Sequence, residues 1–120
     1  MFVVEIKAEL SPFRLSLNAR EPVELMIEIE NNSNKEQMIS YDIILGNHLA
    51  FDKAGRSNAQ TKRFDSLQPG ERMRDYFEIY PKLTVQKGEQ VIYIAVMEHF
   101  NKDYKYILSK KTKELSLRVD

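Results

Sequence analysis

The feature that most limits the fold of this chain is a hydrophobic period of two. Val23, Leu25, Ile27 and Ile29 alternate with Glu24, Met26, Glu28 and Glu30. Successive side chains of a strand point to opposite faces, so this row suits a strand with one buried and one wet face. The same alternation runs through Val4, Ile6, Ala8 and Leu10. It resumes in Phe13, Leu15 and Leu17 after an interruption at Ser11-Pro12. These two stretches read as one edge strand broken at a proline, which has no N–H to give to a ladder. Further apolar rows are Ile39, Tyr41, Ile43 and Leu45; residues 72–80 up to Pro81; residues 91–97; and Leu115, Leu117 and Val119.

Turn chemistry separates these rows. Asn31-Asn32-Ser33-Asn34-Lys35 offers the backbone local side-chain hydrogen bonds. Leu67-Gln68-Pro69-Gly70-Glu71 puts Pro where φ must be fixed and Gly where φ > 0 is needed. Gly46-Asn47 and Lys87-Gly88-Glu89 are further breaks. Between His48 and Ser66 the pattern weakens to a polar loop at 52–58, with Phe64 and Leu67 as candidate anchors for its return. No helical period is present. About seven or eight short strands with turns between them predict an all-β, immunoglobulin-like antiparallel β-sandwich, as one domain over residues 1–120.

Composition narrows the function classes. Hydrophobic residues make up 42% and charged residues 30% of the 120, which suits a packed core rather than disorder. Lys plus Arg equals Asp plus Glu at 18 each, so the chain lacks the general pull of a basic domain on nucleic acid. The absence of cysteine removes disulfides, thiol catalysis and thiolate metal sites. The first residues reach Glu5 without a basic or apolar leader, and no apolar run approaches the ~20 residues of a membrane helix. The expectation is a cytoplasmic protein with no membrane contact; the rival is a domain excised from a larger exported protein.

The order of strands and turns resembles the prokaryotic immunoglobulin-like modules of the CARDB type and, more loosely, the bacterial intracellular proteinase inhibitor domain of the BsuPI type. The likeness is carried by Glu28-Ile29-Glu30-Asn31-Asn32-Ser33, by Leu67-Gln68-Pro69-Gly70-Glu71 and by the approach from Gly88 to Tyr93, and spans roughly residues 20 to 98. The CARDB resemblance implies a sandwich with an adhesion or assembly role. The chain departs from CARDB modules in lacking their acidic-Asn pattern before the last strand. The inhibitor resemblance brings no matched reactive residue.

Catalytic and metal chemistry find little support. No serine sits in a nucleophile elbow and there is no Gly-rich phosphate cradle. Of the two histidines, His48 and His99, His99 follows Glu98 and has Asp103 four residues on. That group reads as a solvated hairpin loop rather than a metal site, which needs three or more positioned ligands. Glu28 and Glu30 are expected to meet Arg72 and Arg74 across neighbouring strands. No enzyme activity and no cofactor are expected.

The charges are unevenly placed. Residues 1–50 hold four basic and eight acidic residues, a net of −4, which leaves +4 on residues 51–120. The 102–118 stretch holds six basic residues interleaved with Tyr104 and Tyr106. Such a stretch grips single-stranded nucleic acid in some proteins, but the favoured reading is lysine guarding an exposed edge strand. Attraction between the acidic and basic halves of two copies is a further use.

Residues 91–97 carry the strongest anomaly, because Val91-Ile92-Tyr93-Ile94-Ala95-Val96-Met97 is apolar in both rows. One register buries Tyr93 and exposes Ile92, Ile94 and Val96; the other exposes Val91, Tyr93, Ala95 and Met97. Ile44 lies in the weakly polar second row of the 38–45 run. Either register predicts an apolar face on the second sheet, covered by a partner or by the 46–66 segment. The leading reading is a non-enzymatic protein-interaction module, most simply a homodimer, using Ile44, Ile92, Tyr93, Ile94, Val96 and Met97. The alternative is a proteinase inhibitor presenting Arg56, Lys62 and Arg63 on the 46–66 loop. Nucleic-acid binding through the basic C-terminal stretch is weaker still.

Overall fold

The computed structural model describes residues 4–100 and 103–120. Nine strands form in chain order: β1 (Val4–Ser11), β2 (Arg14–Leu15), β3 (Val23–Asn31), β4 (Gln37–Leu45), β5 (Leu49–Ala50), β6 (Ala59–Leu67), β7 (Arg72–Pro81), β8 (Gly88–His99) and β9 (Ile107–Val119). They make two sheets, one ordered β1-β3-β7-β5 and the other β2-β9-β8-β4-β6. All pairings are antiparallel except the short one between β2 and β9. Among the described residues there is no helix, so none is long and apolar enough to cross a membrane. The architecture is the all-β sandwich that the alternation predicts.

The period-two rows become the core. Leu25, Ile27 and Ile29 of β3 face Ile39, Tyr41 and Ile43 of β4 and Ile92, Ile94 and Val96 of β8, all of them buried in one cluster. Burying an Ile or Leu side chain is worth about 1.5–3 kcal/mol, so this cluster is the main source of stability. Tyr41 is fully buried between Phe64 and Phe77, and its hydroxyl donates to the Asp75 carboxylate. Burial first, and then that carboxylate, raise its phenol pKa well above the ordinary value. Lys62 reaches the same carboxylate at 3.5 Å, so the open side between edge strand β6 and β7 closes on a polar pair flanked by aromatics.

The proline break at Ser11-Pro12 has a larger meaning than a kink. After β1 leaves the first sheet, a cis Ser11-Pro12 peptide precedes β2, which joins the other sheet beside β9. One sequence run therefore supplies the edges of two sheets.

The two turn motifs also turn out to be one structure. Asn31 is fully buried; its Nδ2 donates to the Leu67 carbonyl at 2.8 Å and the Lys35 carbonyl at 2.7 Å. Its Oδ1 accepts from the Ser33 amide at 2.9 Å and the Ser33 hydroxyl at 2.6 Å. The Gly70 N–H donates to the Asn31 carbonyl, and Gly70 has φ 76, as the Pro-Gly turn requires.

The register of β8 corrects part of the interface expected from sequence. Ile92, Ile94 and Val96 are 0%, 1% and 0% exposed, in the row that faces the other sheet, so they are core and not an interaction surface. The apolar residues opposite them on β4 and β9 decide this: Ile92 pairs with Leu45 and Leu115, and Ile94 with Ile43. The 46–66 segment does not fold over the second sheet's outer face either. It adds β5 to the edge of the first sheet and β6 to the edge of the second.

Candidate functional site

The outer faces of the two sheets differ in kind. On the first, Glu28 pairs with Arg74 and Glu30 with Arg72 in register across β3 and β7. The guanidinium of Arg74 lies 2.6 Å from Glu28, and that of Arg72 2.5 Å from Glu30. The expected cross-strand pairing is present. The Arg74 hydrogen bond is the main cause holding the Glu28 carboxyl below the ordinary carboxylate range, against an opposing effect of burial. This face carries its own charge pairs, beside an exposed Tyr76 that stands opposite Met26.

On the second sheet, the outer row of β8 contains Val91, Tyr93, Ala95, Met97 and His99, and Ile44 of β4 stands directly opposite Tyr93. Tyr93 is 47% and Ile44 51% exposed, and they form a cross-strand apolar pair open to solvent. Met97, at 9%, is nearly closed off. The structure thus keeps Ile44 and Tyr93 together at the surface and removes the other four expected residues from it.

The cover comes from an element that the sequence reading treated as a flexible loop. Between β8 and β9, Tyr104 folds back so that its hydroxyl donates to Asp65 at 2.6 Å. Its ring meets His99 edge-on at 5.0 Å, and the Arg63 guanidinium lies 4.7 Å above it. Burial first, and the Asp65 carboxylate next, push the Tyr104 phenol up to about 12. The tip leaves four large apolar residues exposed: Phe100, Tyr106, Ile107 and Leu108.

His99 and Glu98 are buried strand residues rather than loop residues, which corrects the solvated-loop expectation. Their side chains lie in opposite rows. Glu98 accepts from the Val4 amide at 3.1 Å and from the Ser109 hydroxyl, tying β1 and β9 to β8. His99 Nε2 sits 2.6 Å from the Ser40 hydroxyl and Nδ1 sits 3.2 Å from the Tyr106 carbonyl. A carbonyl only accepts, so in the neutral ring Nδ1–H donates to it and Nε2 accepts from Ser40. A Ser–His contact invites a nucleophilic reading, but Ser40 is buried and the ring is oriented by a carbonyl, not a carboxylate. The pair is a polar clasp beneath Tyr104. Among the described residues no group of three or more potential ligands is placed to hold a metal ion. The signal missed in the sequence was strand parity: Glu98 continues the row of Ile92, Ile94 and Val96, and His99 the row of Tyr93 and Met97.

The residues of the inhibitor reading are not brought together. Arg56 sits in the 51–58 loop, where Asp52 accepts from the Arg56 and Ser57 amides at 3.0 and 2.9 Å. Those amide bonds, Ser57 first, hold the Asp52 carboxyl below its ordinary range. Lys62 and Arg63 belong to strand β6, with side chains engaged by Asp75 and Tyr104. The basic C-terminal stretch is likewise divided. Lys111 and Lys113 pair in register with the core residues Val96 and Ile94, while Lys110 pairs with Met97 of the outer row. Inward-facing lysine on an edge strand is one of the devices by which sheets avoid joining edge to edge.

Neither a protein-family model nor a curated protein sequence matches this chain. Solved structures do. The CARDB domain of a Pyrococcus furiosus protein, solved in complex with di-metal ions, matches with a TM-score of 0.66 at 13% identity, over 98% of this chain and 87% of that one. This chain has the fold of the CARDB-type immunoglobulin-like modules. A FixG-related protein from Vibrio parahaemolyticus matches at TM-score 0.62 and 13% identity, over 99% of this chain and 98% of that one. The alpha-2-macroglobulin of Escherichia coli, from domain MG7 to its C-terminus, matches at TM-score 0.72 and 14% identity. There the likeness covers 98% of this chain but 16% of the longer protein, so the fold recurs as one domain among many. These neighbours share the sandwich, and at such identities they carry the fold alone.

Proposed function

We propose that this domain is a non-enzymatic protein-interaction module that docks through the outer face of its five-stranded sheet, with a second copy of the chain as its partner. The observation that supports this is the exposed Ile44–Tyr93 pair at the middle of that face. The other sheet's outer face carries Glu–Arg pairs beside its own exposed Tyr76. An aromatic beside an aliphatic, both open to solvent, is the make-up of an interface centre. Glu114 of β9 stands opposite Tyr93 and Lys110 opposite Met97 in the same outer row, so the face offers both signs of charge to a second copy.

Light scattering over a concentration series, on wild type and on Tyr93→Lys and Ile44→Lys, tests the reading. Both changes place a lysine where solvent already reaches, so both variants fold. A mass that doubles with concentration in wild type and stays at the monomer in both variants supports it. A wild-type monomer at every concentration removes self-association, and association untouched by either variant moves the interface off this face.

A further inference from the structure

A second surface lies at the end of the sandwich opposite the β8–β9 tip. There the 16–22 turn, the 51–58 loop and the 80–85 turn converge on a solvent-open groove of about 560 Å³. Pro22, Tyr80 and Leu83 give it apolar walls, and Leu83 is 94% exposed. Three cations, Arg20, Lys53 and Lys82, stand on it against one acid, Glu21. Among the described residues, none of these three cations has a carboxylate partner. Gly55 brings the loop against the Lys82 stem, since a Cβ there would meet Lys82 Cγ at 3.5 Å.

Arg20 is the telling residue. Among the described residues it is the one non-glycine with positive φ, at 51, a conformation that glycine or asparagine adopts far more readily. The Arg20 N–H closes the 16–20 turn on the Ser16 carbonyl, and its side chain lines the groove. Its Nη2 donates to the Lys82 carbonyl at 2.6 Å, which aims the guanidinium across the groove and leaves further N–H donors for a ligand. We infer that this groove binds an acidic, partly apolar peptide segment of a partner protein. Its carboxylates meet Arg20, Lys53 and Lys82, and an apolar side chain rests on Tyr80 and Leu83. A small organic anion would leave most of itself in water in so open a groove, whereas an extended segment lies along it. The groove shares no lining residue with the Ile44–Tyr93 pair, so the two proposals stand or fall separately.

The test is a ¹H–¹⁵N titration of the full chain with a capped peptide of alternating Glu and Leu, its Gln–Leu counterpart, and N-acetylglutamate. The expected result is shifts at the amides of Arg20, Lys53, Lys82 and Leu83 with the acidic peptide, weakened by salt and absent with the Gln peptide. Arg20→Gly keeps the backbone conformation, so its melting temperature holds or rises while peptide affinity falls about tenfold. Lys53→Gln lowers affinity severalfold. No shift at millimolar acidic peptide, or equal shifts with the Gln peptide, overturns the proposal. So does an Arg20→Gly variant with unchanged affinity, which would make Arg20 structural. N-acetylglutamate binding as tightly as the peptide would show a small-anion site instead.

Discussion

Asn31 offers the sharpest test of how the fold is tied. Its side chain closes two turns at once, donating to the Leu67 and Lys35 carbonyls and accepting twice from Ser33. In Asn31→Ala, the Lys35 carbonyl reaches water easily, but Leu67 is 3% exposed and its carbonyl loses the side-chain donor. An unsatisfied buried acceptor costs about 1–3 kcal/mol and the lost Ser33 contacts about 1 more, so the expected loss is about 3 kcal/mol. For a domain of this size that lowers the melting temperature by roughly 10 °C. Urea unfolding should show a lower midpoint with an unchanged slope, since the same surface is exposed. Ser33→Ala, which removes one hydroxyl from a partly exposed turn, should cost about 1 kcal/mol or less. Asn31→Asp replaces a donor by a charge that faces the same carbonyls, so it should be at least as damaging as alanine and partly relieved in acid. An Asn31→Ala variant within about 0.5 kcal/mol of wild type would refute the reasoning, because such a value is ordinary for a surface change.

Three further outcomes follow from the structure. The Glu28 carboxyl titrates below its ordinary range in the folded state, so its stabilising effect is present above that range and lost as pH falls through the folded value. Glu28→Gln should therefore flatten the acid limb of a stability-versus-pH curve, and an unaltered limb would show that the Arg74 contact contributes nothing. Tyr104, pushed up to about 12, contributes stability that is complete below the ordinary tyrosine value near 10 and lost as pH rises toward 12. Ultraviolet titration should find several late-ionising tyrosines, Tyr41 among them, of which Asp65→Asn brings down Tyr104 alone. Ile94→Lys should fail to fold, because it puts a charge at a position 1% exposed, while Tyr93→Lys, one residue earlier, should keep its circular dichroism spectrum and melting temperature within a few degrees.

Much of the fold was legible in the chain because strands and turns depend on near neighbours. The alternation of Val23, Leu25, Ile27 and Ile29 fixes which side of β3 is buried whatever it pairs with. The Pro69-Gly70 turn needs only its own four residues. The Glu28–Arg74 and Glu30–Arg72 pairs followed from opposite charges in two rows of matching period. The candidate surface was less legible. Arg20 gives no sign in the sequence that it adopts a positive φ, and the groove it lines joins segments some sixty residues apart.

By itself, then, the sequence determined a two-layered β domain, the wet and dry rows of most strands, and the turns between them. Tertiary structure alone decided the register of residues 91–97, because both of their rows are apolar and the choice rests on Leu45, Ile43 and Leu115 in distant strands. It also decided that Tyr104 folds back onto Arg63, Asp65 and His99, and that Asn31 joins two turns 36 residues apart. The physical reason is the same each time. Hydrophobic period and turn propensity are local quantities, whereas burial is a property of what the rest of the chain places opposite a residue.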